Sequence, residues 1–236
     1  MSNLKTMLRW EFLLQSRYKI IHISILSVIL SFLSTQALPA IASEEFHVLL
    51  LFFDSALVGI MFIGALVLFE KSENTLQALV ITPMSTDDYL LSKIISLTIL
   101  SVVSALIFMA LNFVFNGTEF NILLLILGII LTSVMLILIG FILVSRVNSI
   151  NEYLLSMMMA FLGLSFPPLL HLSGIYENVI FYLWPTQASL ILISGVFTEI
   201  ETWELAYSII YLVILIGLLF FLAKKAFYKH IIMKGG

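Results

Sequence analysis

The sequence predicts an all-α integral membrane protein, and its composition and the pattern of its apolar residues both support this prediction. Hydrophobic residues make up 61% of the 236 residues, charged residues make up 11%, and the mean hydropathy is +1.16. A soluble domain of this length needs more polar surface. The apolar residues form seven runs of about 20 residues each, long enough for a helix to cross a hydrocarbon layer. These runs cover residues 20–38, 49–69, 94–115, 122–144, 153–172, 178–197 and 205–223.

The positions of the basic residues predict how many runs cross the membrane. All eleven Lys and Arg lie in four places: residues 5–19, residues 71 and 93, residue 146, and residues 224–234. Cytoplasmic loops are enriched in Lys and Arg, so we predict that all four places are cytoplasmic. Both termini are then cytoplasmic and the number of crossings is even. We therefore predict six spans in the plasma membrane of a bacterium, within a single transmembrane domain covering residues 1–236.

The run that does not cross is predicted to be residues 178–197, and residues 172–203 are predicted to form a re-entrant region before the last span. This region is rich in residues typical of membrane interfaces and ends in acidic residues: Tyr182, Trp184, Pro185, Glu199, Glu201 and Glu204. It predicts a re-entrant pair of short helices that enter the outer leaflet and return.

Residues 1–18 predict an interfacial helix on the inner leaflet. One side of its helical wheel is apolar and carries Leu4, Met7, Leu8, Trp10, Leu14 and Tyr18. The other side is polar and carries Lys5, Arg9, Ser16 and Arg17. This pattern is typical of helices lying in the membrane surface. Two residues depart from it, because Glu11 falls in the apolar arc and Leu13 in the polar arc.

Residues 70–93 form a hydrophilic cytoplasmic loop between the second and third spans. Glu70 marks its start, and Pro83 ends a short segment with apolar residues at helical spacing. Ser85, with Asp88 three residues later, fits a capping box that starts the next helix. The loop therefore predicts a short amphipathic helix beneath the membrane, held by a spanning helix at each end. Such an element can transmit force from a soluble partner.

The same loop carries a residue pattern found in a known family. It contains Glu70-Lys71-x-x-Asn74-Thr75-Leu76, then Pro83, then Tyr89-Leu90-x-x-Lys93. This pattern resembles the membrane subunit of ABC-2 type exporters, most closely the branch of fluoroquinolone and drug export permeases. The resemblance implies that the loop is a coupling helix docking on a separate ATPase subunit. The coupling residues it implies are Glu70, Lys71, Glu73, Asn74, Thr75, Leu76, Leu79, Val80 and Pro83.

The chain is not expected to be an enzyme, because it contains no G-x-x-x-x-G-K-[ST] phosphate loop. It contains no Cys either, which excludes disulfides and thiolate metal sites. We expect no catalytic residue, cofactor or metal on this chain, and ATP with Mg on two copies of a separate ATP-binding ABC subunit. The other expected partners are a second permease protomer, identical or homologous, and the lipid bilayer; no nucleic acid is expected. The complex would move an amphiphilic, drug-like, lipid-like or peptide substrate outward.

Asp54 supports an alternative function, since an ionisable residue inside a span is usually functional. His47 lies two turns earlier on the same helix face, and His171 lies near the outer end of the fifth run. The alternative is an ATP-independent cation channel or secondary transporter that uses Asp54. A second alternative is a membrane anchor that recruits a soluble protein through residues 70–93.

Residues 157–159 are three consecutive Met, which either pack against neighbouring helices or form an adaptable surface for a bulky substrate. The candidate translocation path comprises Asp54, His47, Met158, Phe161 and His171. Late in the fifth run, Pro167 and Pro168 are predicted to break the helix. Small residues are predicted to allow close helix approach between protomers: Gly59, Gly64, Gly128 and Gly140.

Overall fold

The computed structural model describes residues 2–38, 43–73, 75, 85–172, 174 and 178–232, and every regular element in these ranges is helical. Six of these helices are long and apolar enough to cross a membrane, as the sequence predicts. In chain order the helices are α1 (Ser2–Arg17), α2 (Ile20–Ala37), α3 (Glu44–Ser72), α4 (Thr86–Asn116), α5 (Ile122–Arg146), α6 (Ile150–Leu172), α7 (Pro185–Ser194) and α8 (Thr202–Phe227).

Polar side chains cap the starts of three of the spanning helices. The Ser43 hydroxyl accepts from the backbone N–H of Phe46 at the start of α3, and the Asn121 side chain accepts from two N–H groups of α5. At the start of α4, the Ser85 hydroxyl accepts from the N–H of Asp88 at 3.1 Å. Ser85 is therefore the N-cap of α4, where the sequence predicts a helix start. These caps satisfy backbone donors that have no partner within their helix.

Helices α3, α4 and α5 form the centre of the bundle. In their apolar windows 67%, 50% and 50% of the residues are buried, against 22% in α2, 17% in α6 and 11% in α8. The outer three helices therefore leave most of their apolar surface for lipid or for another protein chain.

Hydrogen bonds between polar side chains join α1 and α2 to α4 along their length. The pairs are Gln15 Nε2–Ser96 Oγ (2.9 Å), Ser24 Oγ–Ser104 Oγ (2.6 Å) and Thr35 Oγ1–Asn112 Oδ1 (3.1 Å). In the three pairs, a higher residue number in α1 or α2 pairs with a higher residue number in α4. Helices α1 and α2 therefore run parallel to α4. A left-handed residue, Lys19 with φ 63°, separates the two helices.

The side of α1 that packs on the bundle differs from the predicted apolar arc. Its buried residues include Met7, Leu14 and also Glu11. Trp10, which the helical wheel places with Met7 and Leu14, is 55% exposed. The buried face is turned because a charged partner for Glu11 lies on α4, as described below.

A π-helical segment, Leu57–Phe62, interrupts α3 near its middle. The hydroxyl of Tyr153 on α6 donates to the backbone carbonyl of Ile60 within this segment. Glycines let the segment lie against α5, because a Cβ at Gly59 would stand 2.7 Å from Leu136 Cβ and one at Gly140 would stand 2.9 Å from Ile60 Cα. These two glycines thus serve contacts within one chain.

The prediction that Pro167 and Pro168 break the fifth span is wrong, because α6 continues through both to Leu172. A helical residue at these positions would donate its N–H to the carbonyls of Gly163 and Leu164, and proline has no N–H. Two side chains after the helix replace the missing donors. Trp184 Nε1 donates to the Gly163 carbonyl at 3.1 Å, and the Thr186 hydroxyl donates to the Leu164 carbonyl. Helix α6 therefore remains helical through both prolines.

We expect Thr186→Val to lower the free energy of unfolding by about 1–3 kcal/mol, because it leaves the Leu164 carbonyl without its donor. Thr186 is 1% exposed, so water cannot readily take the place of the hydroxyl. Thermal unfolding in detergent measures the effect. Thr186→Ser keeps the hydroxyl and is the matched control, and equal stability of the Val and Ser variants would contradict the assignment.

Two short helices precede the last span, in the region predicted to hold such a pair. They are a 3₁₀ turn, Val179–Leu183, and α7. A Cβ at Gly128 of α5 would stand 3.5 Å from Leu192 Cβ of α7, and the N–H of Asn121 donates to the Val196 carbonyl at 2.8 Å. Helix α7 therefore packs beside the start of α5, and the 3₁₀ turn contacts α8, whose Tyr211 hydroxyl donates to the Leu183 carbonyl at 2.7 Å. The depth of the pair in the outer leaflet stays a prediction.

Candidate functional site

A buried cluster of charged residues joins the two ends of the 70–93 loop to α1. Lys93 Nζ lies 3.0 and 3.2 Å from the two carboxylate oxygens of Glu11 and 2.6 Å from Glu70 Oε1. The Tyr89 hydroxyl donates to Glu70 Oε2 at 2.6 Å. We call Glu11, Glu70, Tyr89 and Lys93 the buried charge cluster. It connects α1, the end of α3 and the start of α4.

The cluster is almost fully excluded from solvent and carries unequal charge. Lys93 is 0% exposed, Glu11 2% and Glu70 4%. Two carboxylates share one ammonium, so one negative charge is in excess. Burial raises the pKa of the Glu11 carboxyl, the Lys93 ammonium opposes this rise, and the negative charge of Glu70 adds to it.

Aromatic residues seal the cluster from the side of α5 and α8. The Tyr89 ring centroid lies 5.0 Å from that of Phe227 and 6.2 Å from that of Phe141. Lys93 Nζ also lies 4.8 Å from the Tyr89 ring centroid, within cation–π range. These contacts remove water and strengthen the attraction between the charges.

Further polar contacts tie the loop ends to the remaining helices. Lys71 Nζ donates to the carbonyls of Val144 at 3.0 Å and Val147 at 2.7 Å, at the C-terminus of α5, where a cation is favourable. Two more exposed ion pairs lie close by: Arg17–Glu73 at 3.5 Å and Lys224–Asp87 at 2.7 Å. Between them, the two loop ends therefore have polar contacts with α1, α5 and α8.

A second region of interest is an apolar cavity of about 270 Å³ between α3 and α6. It lies beside the π-helical segment and is lined by Phe53, Ala56, Leu57, Ile60, Met61, Met157, Met158 and Phe161. The Phe161 ring centroid lies 5.7 Å from that of Phe53. Met158 and Phe161 of the predicted path therefore line one cavity together with Met157. That these residues contact a substrate stays a prediction.

His47 and Asp54 have separate partners. His47 Nδ1 lies 2.8 Å from the Ser43 carbonyl, and its Nε2 lies 3.2 Å from Asn112 Oδ1. Asp54 accepts from the Ser27 hydroxyl at 3.0 Å. Among the described residues, no group of three or more His, Asp or Glu could hold a metal ion. The side chain of His171 lies outside the described part of the chain, and the role of these three residues in transport stays a prediction.

Comparison with known proteins confirms the predicted resemblance. Residues 2–235 match the family model of the fluoroquinolones export permease protein family. The chain belongs to this family. It is similar to the fluoroquinolones export permease proteins of two Mycobacterium tuberculosis strains, CDC 1551 / Oshkosh and ATCC 25618 / H37Rv. Each is 29% identical over 238 residues, covering 100% of this chain and 99% of the relative. The chain is thus a membrane-embedded export permease.

The permease structure places the predicted coupling residues in different surroundings. Glu70 lies in the buried charge cluster and Lys71 binds α5, so both side chains are engaged inside the chain. Glu73 pairs with Arg17 at the surface, and the Thr75 hydroxyl donates to the Glu70 carbonyl at 3.0 Å. The other five, Asn74, Leu76, Leu79, Val80 and Pro83, lie outside the described residues. The assignment of the nine residues to ATPase coupling stays a prediction.

Sequence reasoning did not identify the buried charge cluster of this permease. The distribution of charge along the sequence places Lys93 among the cytoplasmic basic residues and shows no partner for Glu11. The signal was present, because an acid in the apolar arc of an amphipathic helix needs a buried cation or donor. Tyr89 and Lys93, four residues apart on α4, share the helix face that meets this acid.

Proposed function

We propose that the chain is the membrane subunit of an ATP-driven exporter that carries amphiphilic, drug-like cargo out of the cell. The observation that supports this most is the buried charge cluster, which ties both ends of the 70–93 loop to α1. The relatives named for fluoroquinolones make these drugs the first candidates for cargo. In this proposal two copies of an ABC ATPase subunit supply the energy, and ATP and Mg are bound there.

The geometry favours transmission of force over independent transport. A partner that pushes on residues 74–84 acts on a loop whose ends are held by short, buried ionic contacts. Buried ion pairs resist separation, because an unpaired charge in a protein interior is unstable. The push therefore moves the inner ends of α3 and α4 as one unit with α1.

The π-helical segment of α3 offers a place where such movement can turn into a change of shape. π-helical turns are rare and occur frequently at functional sites. This one lies beside the 270 Å³ cavity and is held by the Tyr153 hydroxyl. In the proposed cycle, movement of the inner half of α3 bends the helix there and changes the cavity next to Met158 and Phe161.

A second permease copy fits the distribution of apolar surface. Helices α2 and α6 bury few of their residues within one chain. Among their exposed residues are Leu26, Leu30, Leu155, Met159 and Leu162. We propose that these faces meet lipid and a second protomer, identical or homologous, with the Lys- and Arg-rich ends of the spans in the cytoplasm.

The test is recovery of an ATPase with the tagged protein from its native membranes. Wild type is expected to recover a subunit that carries a phosphate-loop motif, and the double variant Thr75→Asp, Leu76→Asp is expected to lose it. Thr198→Asp with Thr202→Asp adds the same charge near the start of α8 and is the matched control. Wild-type protein that recovers no ATPase under mild detergent would refute the proposal.

A further inference from the structure

A network of hydrogen bonds between polar side chains joins α2, α3 and α4 at the end of the bundle opposite the buried charge cluster. Gln36 Nε2 donates to Asn116 Oδ1 at 2.8 Å, and Asn116 Nδ2 donates to Asn112 Oδ1 at 2.9 Å. His47 Nε2 lies 3.2 Å from the same Asn112 oxygen, and its Nδ1 lies 2.8 Å from the Ser43 carbonyl oxygen. We call Gln36, His47, Asn112 and Asn116 the polar network. Each of the three helices contributes a member, so the network holds their ends together.

The orientation of the Asn112 amide is fixed by a backbone group. Asn112 Nδ2 donates to the carbonyl of Phe108, one turn earlier on α4, at 2.9 Å. If the amide were reversed, its oxygen would face that carbonyl, and two acceptors would meet without a proton between them. The Thr35 hydroxyl has a single proton and lies closer to the Phe32 carbonyl, at 2.7 Å, than to the Asn112 oxygen, at 3.1 Å. The Asn112 oxygen therefore faces His47 as an acceptor.

Both ring nitrogens of His47 thus face an oxygen that cannot donate. Neutral imidazole has one N–H group, and only the protonated ring has two. In the neutral ring one nitrogen would face an acceptor with no proton between them. His47 is 4% exposed, and the rings of Phe108 and Phe197 lie 6.1 and 5.7 Å from its own, so water has little access to it. The geometry therefore fits the protonated ring, which donates to both oxygens.

No charged side chain among the described residues pairs with the His47 ring. Helices α2, α4, α5 and α7 pack on α3. Helices α2 and α7 contain no Asp, Glu, Lys or Arg, and those of α4 and α5 lie at the opposite ends of these helices. The nearest charged residues along the chain lie on α3 itself or just after α7, and none forms an ion pair with His47: Glu44, Glu45, Asp54 and Glu199. A buried cation is unfavourable without partners, so the charge of His47 depends on the two oxygens that accept from it.

Proton binding by His47 and closure of the polar network are therefore coupled. A ring that loses one proton keeps a single N–H group. The shorter contact, to the Ser43 carbonyl at the start of the same helix, retains it, and the contact to Asn112 on α4 is lost. Conversely, separation of α3 from α4 removes one of the two acceptors of the charged ring. Such a coupling is reciprocal, so that the proton favours the closed network as much as the closed network favours the proton.

We propose that the polar network is a pH-sensitive contact between α3 and α4, which is closed when His47 is protonated and weakened when His47 is neutral. The distribution of Lys and Arg predicts that this end of the bundle faces the outside of the cell. The pH outside the cell would then set how firmly the ends of α2, α3 and α4 are held together. This inference goes beyond the proposed export function and does not depend on it.

The test measures the separation of α3 and α4 in the full-length protein in nanodiscs, by electron paramagnetic resonance of two spin labels. The chain contains no Cys, so Glu44→Cys and Val114→Cys at two exposed positions supply the only labelling sites. Spectra are taken at about pH 5 and about pH 8, either side of the range in which histidine ordinarily changes charge. The ratio of close to separated molecules is expected to fall on the order of tenfold from pH 5 to pH 8, as for loss of a hydrogen bond to a charged group. The same distance distribution at both pH values would overturn the proposal.

Two histidine variants assign the pH dependence to one ring. His47→Leu removes the titrating group from the polar network, so the label distances are expected to be the same at both pH values. His22→Gln changes an exposed histidine of α2 outside the network and is the matched control, which is expected to keep the wild-type response. A pH response that persists in His47→Leu would overturn the assignment.

The protonation state can also be measured with His47 intact, which keeps the proposal testable if His47→Leu fails to fold. In a variant with His22, His171 and His230 changed to Gln, His47 is the only histidine. The ¹⁵N chemical shifts of its two ring nitrogens are similar when both carry a proton and differ widely when one does. We expect two protonated nitrogens at about pH 5 and only Nδ1 protonated at about pH 8. A ring that keeps one protonation state at both pH values would overturn the pH-sensitive contact.

Discussion

Lys93→Met is expected to lower the free energy of unfolding by about 3–5 kcal/mol, or to leave no folded protein in the membrane. The substitution keeps the approximate length of the side chain and removes the ammonium that both Glu11 and Glu70 contact. Two buried carboxylates then face each other without their shared cation. Chemical unfolding in detergent, together with the amount of protein extracted from membranes, measures the effect.

Lys224→Met is the matched control for this loss. Lys224 also pairs with an acid, Asp87 at 2.7 Å, but their side chains are 41% and 48% exposed. An exposed pair contributes about 0–1 kcal/mol, so this variant is expected to stay close to wild type. If Lys93→Met and Lys224→Met had similar free energies of unfolding, burial would not be what makes the contribution of the charge cluster to stability large.

A triple variant separates the folding role of the cluster from its proposed role in transport. Glu11→Gln, Glu70→Gln and Lys93→Met together remove all three charges, so no buried carboxylate is left without its cation. We expect the triple variant to recover part of the stability lost in Lys93→Met, because the buried Gln amides still need hydrogen-bond partners. If ATP-driven export also returned to the wild-type level, the cluster would be a stabilising element alone.

Gly64→Ala is expected to lower the free energy of unfolding by at least about 1–3 kcal/mol, the typical range for overpacking a core. A Cβ at Gly64 would overlap the ring of Tyr153. The ring would have to leave its position, and its hydroxyl would no longer donate to the Ile60 carbonyl in the π-helical segment. Thermal unfolding in detergent again gives the readout.

The control for Gly64→Ala uses a glycine with free space around it. A Cβ at Gly217 of α8 meets nothing within 4 Å among the described residues. Gly217→Ala is therefore expected to be neutral or to stabilise, because alanine is the better helix former. In a Tyr153→Ala background, the loss of unfolding free energy caused by Gly64→Ala is expected to fall toward zero. An unchanged loss there would mean that the Tyr153 ring does not clash with the added Cβ.

The sequence predicts this fold well wherever local patterns decide the structure. Six spans follow from run lengths and the Lys and Arg positions, and the start of α4 follows from Ser85 and Asp88. The short helices before the last span follow from the interfacial residues around Trp184. In each case the signal is a run of residues or the distribution of Lys and Arg along the chain, so that no knowledge of helix packing is needed.

The predictions that failed, or were never made, depend on residues far apart in the chain. Pro167 and Pro168 do not end α6, because Trp184 and Thr186 donate to the carbonyls the prolines leave free. The buried charge cluster pairs residues 82 positions apart, Glu11 and Lys93. Only the packing of α1 on α4 brings them together. Glu11 in the apolar arc was the one local sign of it.

The glycines also show that the sequence does not reveal which helices pack against each other. Their small size correctly indicates close helix approach, but the sequence does not reveal which helices approach. The structure uses Gly59, Gly64, Gly128 and Gly140 for contacts between helices of one chain. Contacts within a chain and contacts between chains leave the same pattern of small residues.

Trp184 and Thr186 satisfy carbonyls of α6 but follow it in the chain, and this has a consequence for synthesis at the ribosome. When Pro167 and Pro168 enter the bilayer, the carbonyls of Gly163 and Leu164 have no donor, because Trp184 and Thr186 are still to be translated. An unsatisfied carbonyl is unfavourable in hydrocarbon. We therefore expect the last third of α6 to complete its helix only after the next 20 or so residues have been made and have folded back onto it. Insertion of α6 is then expected to be a late step, shared with the segment that follows it.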